Sequence, residues 1–166
     1  MKTEKRKPSA LEKAVELLAA QEQSERRLRE KLLRRGYEAE EVDAAIARLQ
    51  ERHYLDDEAA CGRAFRRLYE ESSMSVRQIG QKLYAKGYSP ELIRASLPED
   101  DDRGAREREA AHRALRSRFH AAAPRAKMKQ YLYRRGFSYG ICDTATDLFL
   151  EENPEFKMEE TDSYEE

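Results

Sequence analysis

Apolar residues recur along this chain in helical register with three glycines. Leu28 and Leu32 lie eight and four positions before Gly36, Ile79 and Leu83 stand likewise before Gly87, and Met128 and Leu132 before Gly136. A spacing of four puts each pair on one helical face. An aromatic follows each glycine, as Tyr37, Tyr88 and Phe137. One local design thus appears three times at a period of about fifty residues.

Helices commonly end on a left-handed residue that glycine adopts at little steric cost, and the residue after it packs back onto the last turn. The pattern therefore predicts three helices that stop at these glycines, with Tyr37 returning to Leu32, Tyr88 to Leu83 and Phe137 to Leu132. Their starts are marked too. Ser24 and Ser75 stand where N-caps belong, Gln78 completes a capping box with Ser75, and Pro124 takes the same place in the third copy without a hydroxyl.

A second amphipathic stretch follows each turn, over 38–49, 89–97 and 138–149, with Val42, Ile93 and Cys142 in matching positions. Ser89-Pro90-Glu91 combines an N-cap, a first-turn proline and an acid at the positive end of a helix. Another helical pattern precedes each repeated segment, over 10–20, 57–70 and 103–119, the last two behind acidic caps at 56–57 and 100–102. Ala14, Phe65 and Ala114 then fall at equal distances from their glycines.

The expected fold class is all-α: three tandem three-helix repeats in an elongated, curved array. The repeats are placed at 10–53, 54–99 and 100–150. A flexible basic N-terminus covers 1–9, and an acidic tail without fixed structure covers 151–166. Composition fits this reading. With 39% hydrophobic and 39% charged residues, a single globule would have a thin core, whereas stacked repeats bury their apolar faces against neighbours. The acidic tail suits solubility; it also suits shielding of basic surfaces when no partner is bound.

Catalytic chemistry finds no support. The chain has no phosphate-cradling glycine loop, no His-Glu-x-x-His, no nucleophile elbow and no Cys-x-x-Cys. Cys61 and Cys142 fall in helix patterns as small core residues. His53 sits at a helix end, while His112 and His120 lie among arginines whose field opposes a metal cation. Asp56-Asp57-Glu58 reads as an N-cap with first-turn acids. No catalytic residue, metal or cofactor is expected. No run reaches the roughly eighteen apolar residues of a membrane span, and 1–9 is not followed by the apolar core of a signal peptide. A monomer in the cytoplasm is expected.

The near-zero net charge of −1 hides a segregation. Residues 103–135 carry about nine more bases than acids, balanced by the acidic tail and by 38–102. Candidate partner- or DNA-binding residues are Arg26, Arg27, Lys31, Arg34 and Arg35 in the first copy and Arg77, Lys82 and Lys86 in the second. The third copy contributes Arg125, Lys127, Lys129, Arg134 and Arg135. They suit phosphates or an acidic protein face, and equally the plain solvation of an amphipathic helix. The helix after each turn would be the reading helix of a helix-turn-helix protein. It carries Glu40, Glu41, Asp43, Asp143 and Asp147 against Arg48 and Arg94, so phosphate repulsion opposes its docking in duplex DNA. Nucleic acid would instead meet the helix before the turn through its phosphates.

The order and spacing of these elements resemble the RecX family of bacterial regulatory proteins. The resemblance runs from Ala14-Val15-Glu16-Leu17-Leu18 through 24–36, Tyr54-Leu55-Asp56-Asp57-Glu58 and 79–87 to 132–137. It implies a non-enzymatic protein of three tandem three-helix repeats. Such a protein binds RecA recombinase, lies along its filament on single-stranded DNA and dampens ATPase, strand exchange and coprotease activity. Two departures bear on the angle between repeats: Ala60-Cys61 where the family often has an aromatic and Ala, and Ser72-Ser73-Met74-Ser75 where it often has a glycine. A general nucleic-acid-binding helical-repeat scaffold without recombinase specificity is the alternative.

Overall fold

The three glycines take left-handed backbone, with φ of 77° at Gly36, 102° at Gly87 and 85° at Gly136. At each, the aromatic amide donates to the leucine carbonyl five residues back: Tyr37 to Leu32 at 3.4 Å, Tyr88 to Leu83 at 3.2 Å and Phe137 to Leu132 at 3.3 Å. The glycine amides bond Leu33, Tyr84 and Tyr133 at 2.9 Å. These paired bonds satisfy carbonyls that a helix end leaves open. All three aromatics are buried, as are Leu28, Leu32, Ile79, Leu83, Met128 and Leu132.

The computed structural model describes residues 6–98 and 103–157. Among these the secondary structure is helical, with no strand. The first three helices are α1 (Ala10–Ala20), α2 (Glu25–Arg34) and α3 (Ala39–Glu51). The next three are α4 (Asp57–Glu71), α5 (Val76–Ala85) and α6 (Pro90–Ala95). The last are α7 (Arg103–Arg118), α8 (Arg125–Arg134) and α9 (Tyr139–Glu152), followed by a 3-10 turn at Pro154–Phe156. Each glycine-stopped helix thus has one helix before it and one after it, and the three-helix unit occurs three times.

Two compact units divide the chain. Among the described residues, the first holds 6–65 and 82–96, and the second holds 66–81, 97–98 and 103–157. α4 and α5 each contribute to both units. Within the first unit, Ala10 and Ala14 of α1, Leu28 and Leu32 of α2, and Val42, Ala45, Ile46 and Leu49 of α3 form a core with Tyr37 and Leu55. Alanines on α1 allow close approach of the other two helices. In the second unit Ala110, Ala111 and Ala114 of α7 play the same part against Met128 and Leu132 of α8 and Cys142, Ala145 and Phe149 of α9. The short α6 has no buried residue. Along the middle helices Ala60, Cys61, Phe65, Ile79, Leu83 and the following Tyr88 are buried.

Both ends are more structured than the charge pattern suggests. Residues 6–9 of the basic N-terminus are held: Ser9 caps α1 in a box with Glu12, the Tyr37 hydroxyl donates to the Pro8 carbonyl at 2.8 Å, and Lys7 Nζ donates to the Gly36 carbonyl at 3.1 Å. At the other end, α9 continues through Glu152, Phe156 packs on the second core, and the Ala123 amide donates to its carbonyl at 3.3 Å. The tail assigned to 151–166 therefore begins inside a helix. Among its acids Phe156 is the aromatic that carries the segment back to the core. The rest of the tail, 158–166, and the acidic cap at 100–102 lie outside the described residues.

Candidate partner and nucleic-acid interface

α2 and α8 bury Leu28, Leu32, Met128 and Leu132 in the two cores, and α5 buries Ile79 and Leu83. The first unit shows how α2 meets the end of α5. The Ser24 hydroxyl accepts from the Arg27 amide at 3.3 Å as an N-cap and donates to the Lys86 carbonyl at 2.8 Å. Gly87 follows directly, and a Cβ there would lie 2.2 Å from Ser24 Oγ. Arg26 donates to the Tyr84 carbonyl at 2.9 Å and lies over the Tyr84 ring, while Arg27 donates to the Ala85 carbonyl at 2.5 Å. Glu30 stands 3.9 Å from Arg26 and 3.5 Å from Arg27. The Glu25 amide, one of the open donors of α2, is taken by Asp57 at 2.9 Å. We call this the first joint.

The second unit contains a second joint of the same design, between the start of α5 and the end of α8. The Ser75 hydroxyl accepts from the Gln78 amide at 3.1 Å and donates to the Arg135 carbonyl at 2.6 Å. A Cβ on Gly136 would lie 3.0 Å from Ser75 Oγ and from Arg77 Cδ. The Val76 amide is taken by Glu107 at 2.9 Å. Arg135 reaches the Ser73 carbonyl at 3.2 Å and the Tyr131 hydroxyl at 3.1 Å. Arg106 gathers the Tyr69 and Met74 carbonyls at 2.7 and 2.6 Å beneath 72–75. The Ser72-Ser73-Met74-Ser75 departure is thus accommodated by arginines that bond its carbonyls.

Each joint places a carboxylate on an open helix amide, and burial raises the pKa of both Asp57 and Glu107. Their neighbours differ. Glu25 adds to the rise at Asp57, whereas Arg106, 3.1 Å from Glu107, opposes it. Burial lowers the pKa of Arg106.

The candidate cations fall into two groups. Arg26, Arg27 and Arg135 are engaged at the joints. Arg125 pairs with Asp147 at 2.6 Å and Asp143 at 3.5 Å, and Lys129 pairs with Asp143 at 2.5 Å. That carboxylate, by hydrogen bonding, raises the Lys129 pKa. The acids of the helix after the turn therefore neutralise cations of the helix before it, as Asp43 also does for Arg29. Arg35 donates to the Lys31 carbonyl at 3.1 Å. Lys31, Arg34, Arg77, Lys82, Lys86, Lys127 and Arg134 have no ion pair among the described residues. All but the half-buried Lys31 are exposed.

One position escaped the sequence reading. Leu33, Tyr84 and Tyr133 stand three residues before their glycines and are 44%, 53% and 65% exposed. Each offers an apolar surface among cations, and the signal was present in the aligned copies as a large residue directly after the core leucine.

Among the described residues, no group of three or more His, Cys, Asp or Glu side chains could hold a metal. His112 meets Glu152 at 2.9 Å and the edge of Phe149, a packing position. Both cysteines are buried. No helix of the described residues is long and apolar enough to cross a membrane.

The repeat design has known counterparts. Residues 10–49 match the model of the first three-helix domain of RecX, and residues 106–146 match that of its third three-helix domain. The regulatory protein RecX of Thermus thermophilus is 34% identical over 151 residues, covering 89% of this chain and 97% of the relative. The chain belongs to the RecX family. That of Chlorobaculum tepidum is 31% identical over 155 residues, covering 90% and 93%. The crystal structure of RecX from Lactobacillus salivarius superposes with a TM-score of 0.70 at 20% identity, covering 84% of this chain and 94% of that one. A second structure, of a regulatory protein RecX, gives 0.66 at 22% identity over 83% and 70%. These structures share the fold; the relatives place the chain in a family of regulatory proteins.

Proposed function

We propose that this protein binds RecA recombinase and its filament on single-stranded DNA and lowers ATPase, strand exchange and coprotease activity. The observation that carries this reading is family membership along nearly the whole chain, with 97% of the Thermus relative covered. The helix before each turn supplies the contact chemistry. A filament presents one surface repeatedly, and linked modules that each bind it weakly combine through effective concentration. Modules held across neighbouring protomers would resist the change of filament geometry that accompanies ATP turnover, and would occupy space that a second strand needs.

The test is a salt-titrated comparison of binding to bare single-stranded DNA and to the same DNA coated with cognate recombinase, with ATP hydrolysis followed in parallel. Tighter binding to the coated strand with falling hydrolysis is expected. Equal or better binding to bare DNA, with hydrolysis unchanged, would replace this reading with a general nucleic-acid scaffold. Arg134→Glu is the charge reversal to use. Arg135 bonds Ser73 and Tyr131, so reversing it would disturb the second joint as well as its surface.

A further inference from the structure

A cleft of about 340 Å³ opens at the second joint, lined by Arg77, Gln81, Tyr133, Arg134, Arg135 and Gly136. Three guanidinium groups border it and no carboxylate does. The first joint has Arg26 in the place of Arg77, but Glu30, where the second has Gln81, lies within 4 Å of both arginines there. Arg77 and Arg134 have no ion pair among the described residues, and Arg135 Nε is buried without a hydrogen-bond partner. Gly136 leaves room for the Arg77 stem, whose Cδ would touch a Cβ at that position. Tyr133, 65% exposed, contributes an open ring beside these cations.

We infer that this cleft seats the phosphodiester backbone of a single nucleic-acid strand, with a base stacked on Tyr133. Guanidinium groups donate in a planar fork that matches phosphate oxygens. An exposed aromatic next to them is the second element of single-strand binding, since every base offers a face to stack while duplex bases are already stacked. An acidic protein surface would use the arginines but has no need of the ring. The inference deepens the function proposed above and rests on that reading for the strand's presence in the cell, but it is tested without recombinase.

The probe is a labelled oligothymidylate and, for comparison, a duplex of the same length, followed by fluorescence anisotropy over a salt series with the full chain. Gln81→Glu installs the acid of the first joint, and Tyr133→Leu installs the residue that the first repeat carries at 33. Both positions are exposed, and thermal melts establish that the variants fold. Gln81→Glu should weaken oligothymidylate binding about tenfold and make its salt slope shallower by about one. Tyr133→Leu should weaken it about tenfold on the single strand and little on the duplex. Wild-type affinity in both folded variants would overturn the proposal, as would absence of oligothymidylate binding by the unmodified chain. If both variants bind oligothymidylate normally and lose affinity only for the recombinase-coated strand, the cleft receives protein and the proposal also falls. Loss of oligothymidylate binding in the variants, beside an unmodified chain that leaves recombinase ATPase unchanged, would uphold the cleft and remove the regulatory reading.

Discussion

At the first joint Ser24 closes on the carbonyl before Gly87, with Glu30 beside Arg26 and Arg27. At the second joint Ser75 closes on the carbonyl before Gly136, and Gln81 stands in the place of the acid. The backbone logic is the same in both. One hydroxyl caps its own helix and also takes up a carbonyl at the end of the next repeated helix, so one side chain satisfies two helix termini. What differs is the charge around it. The first joint neutralises its own arginines, while the second leaves a cationic cleft. Packing can thus be copied from repeat to repeat while surface chemistry varies.

The largest effects should come from filling the glycines, because the three sites share a left-handed backbone and differ in free space. Alanine at any of them bears a strain of about 1 kcal/mol. Nothing lies within 4 Å of a Cβ at Gly36, whereas at Gly136 the neighbours approach to 3.0 Å and at Gly87 to 2.2 Å. Urea unfolding should therefore rank Gly36→Ala lowest at about 1 kcal/mol, Gly136→Ala at about 2 and Gly87→Ala at about 3 or more. Equal losses at all three would mean that backbone strain alone decides, and that the joints are looser than their distances suggest.

Removing the hydroxyls comes next. Ser24→Ala and Ser75→Ala each delete an N-cap and a part-buried bond to a helix-end carbonyl, at a cost of about 2 kcal/mol apiece. A smaller loss at Ser75 would identify Arg106 and Arg135 as a second set of supports, since their bonds to 69–74 remain. Thermal melting should register either change as a drop of about 6 °C.

The joint acids should respond with opposite sign. Glu107→Gln keeps an acceptor for the Val76 amide but takes the charge partner from the largely buried Arg106, a loss of about 1–2 kcal/mol. Asp57→Asn keeps an acceptor for the Glu25 amide and removes a carboxylate that burial and Glu25 both disfavour. It should stabilise slightly at neutral pH. The sign follows from linkage. A carboxyl with a raised folded pKa holds its proton longer in the native state, so its favourable contribution is full below the unfolded pKa and disappears as pH rises through the folded value. The advantage of Asp57→Asn should thus shrink as melts are run at progressively lower pH through the carboxylate range. An advantage constant with pH would separate the change from titration.

Much of this was legible in the sequence, for reasons that particular residues make plain. Gly36, Gly87 and Gly136 sit where the aliphatic register and the aromatic after it demand a left-handed stop, and Ser24, Ser75 and Gln78 cap as their spacing requires. Local rules governed these features. Pro124 was legible as a helix start, and the structure adds what its missing hydroxyl forgoes: Ser24 and Ser75 each also bond a carbonyl of a following repeat. The joints themselves were not legible, because Ser24 meets Lys86 and Ser75 meets Arg135 across about sixty residues. Nor could charge counting separate Arg125 and Lys129, tied to α9, from Arg77 and Arg134, which have no ion pair among the described residues. Charge segregation indicated a basic surface; the sharing of each carboxylate required the fold.

The smallest effect should appear at Lys7, beside the glycine of the first repeat. Among the described residues no serine bonds the carbonyls near Gly36, and the segment before α1 serves instead. Lys7 donates to the Gly36 carbonyl at 3.1 Å and lies 4.5 Å from the Tyr37 ring centroid. Both contacts are exposed to solvent, where a single ammonium contributes little. Lys7→Ala should cost about 0.5 kcal/mol, and rising salt should shrink that cost, whereas the loss at Ser24→Ala should hold across the same salt range. A loss at Lys7 as large as that at Ser24 would mean that an exposed lysine seals the first glycine as firmly as Ser24 seals the second, which would erase the difference between the two kinds of contact.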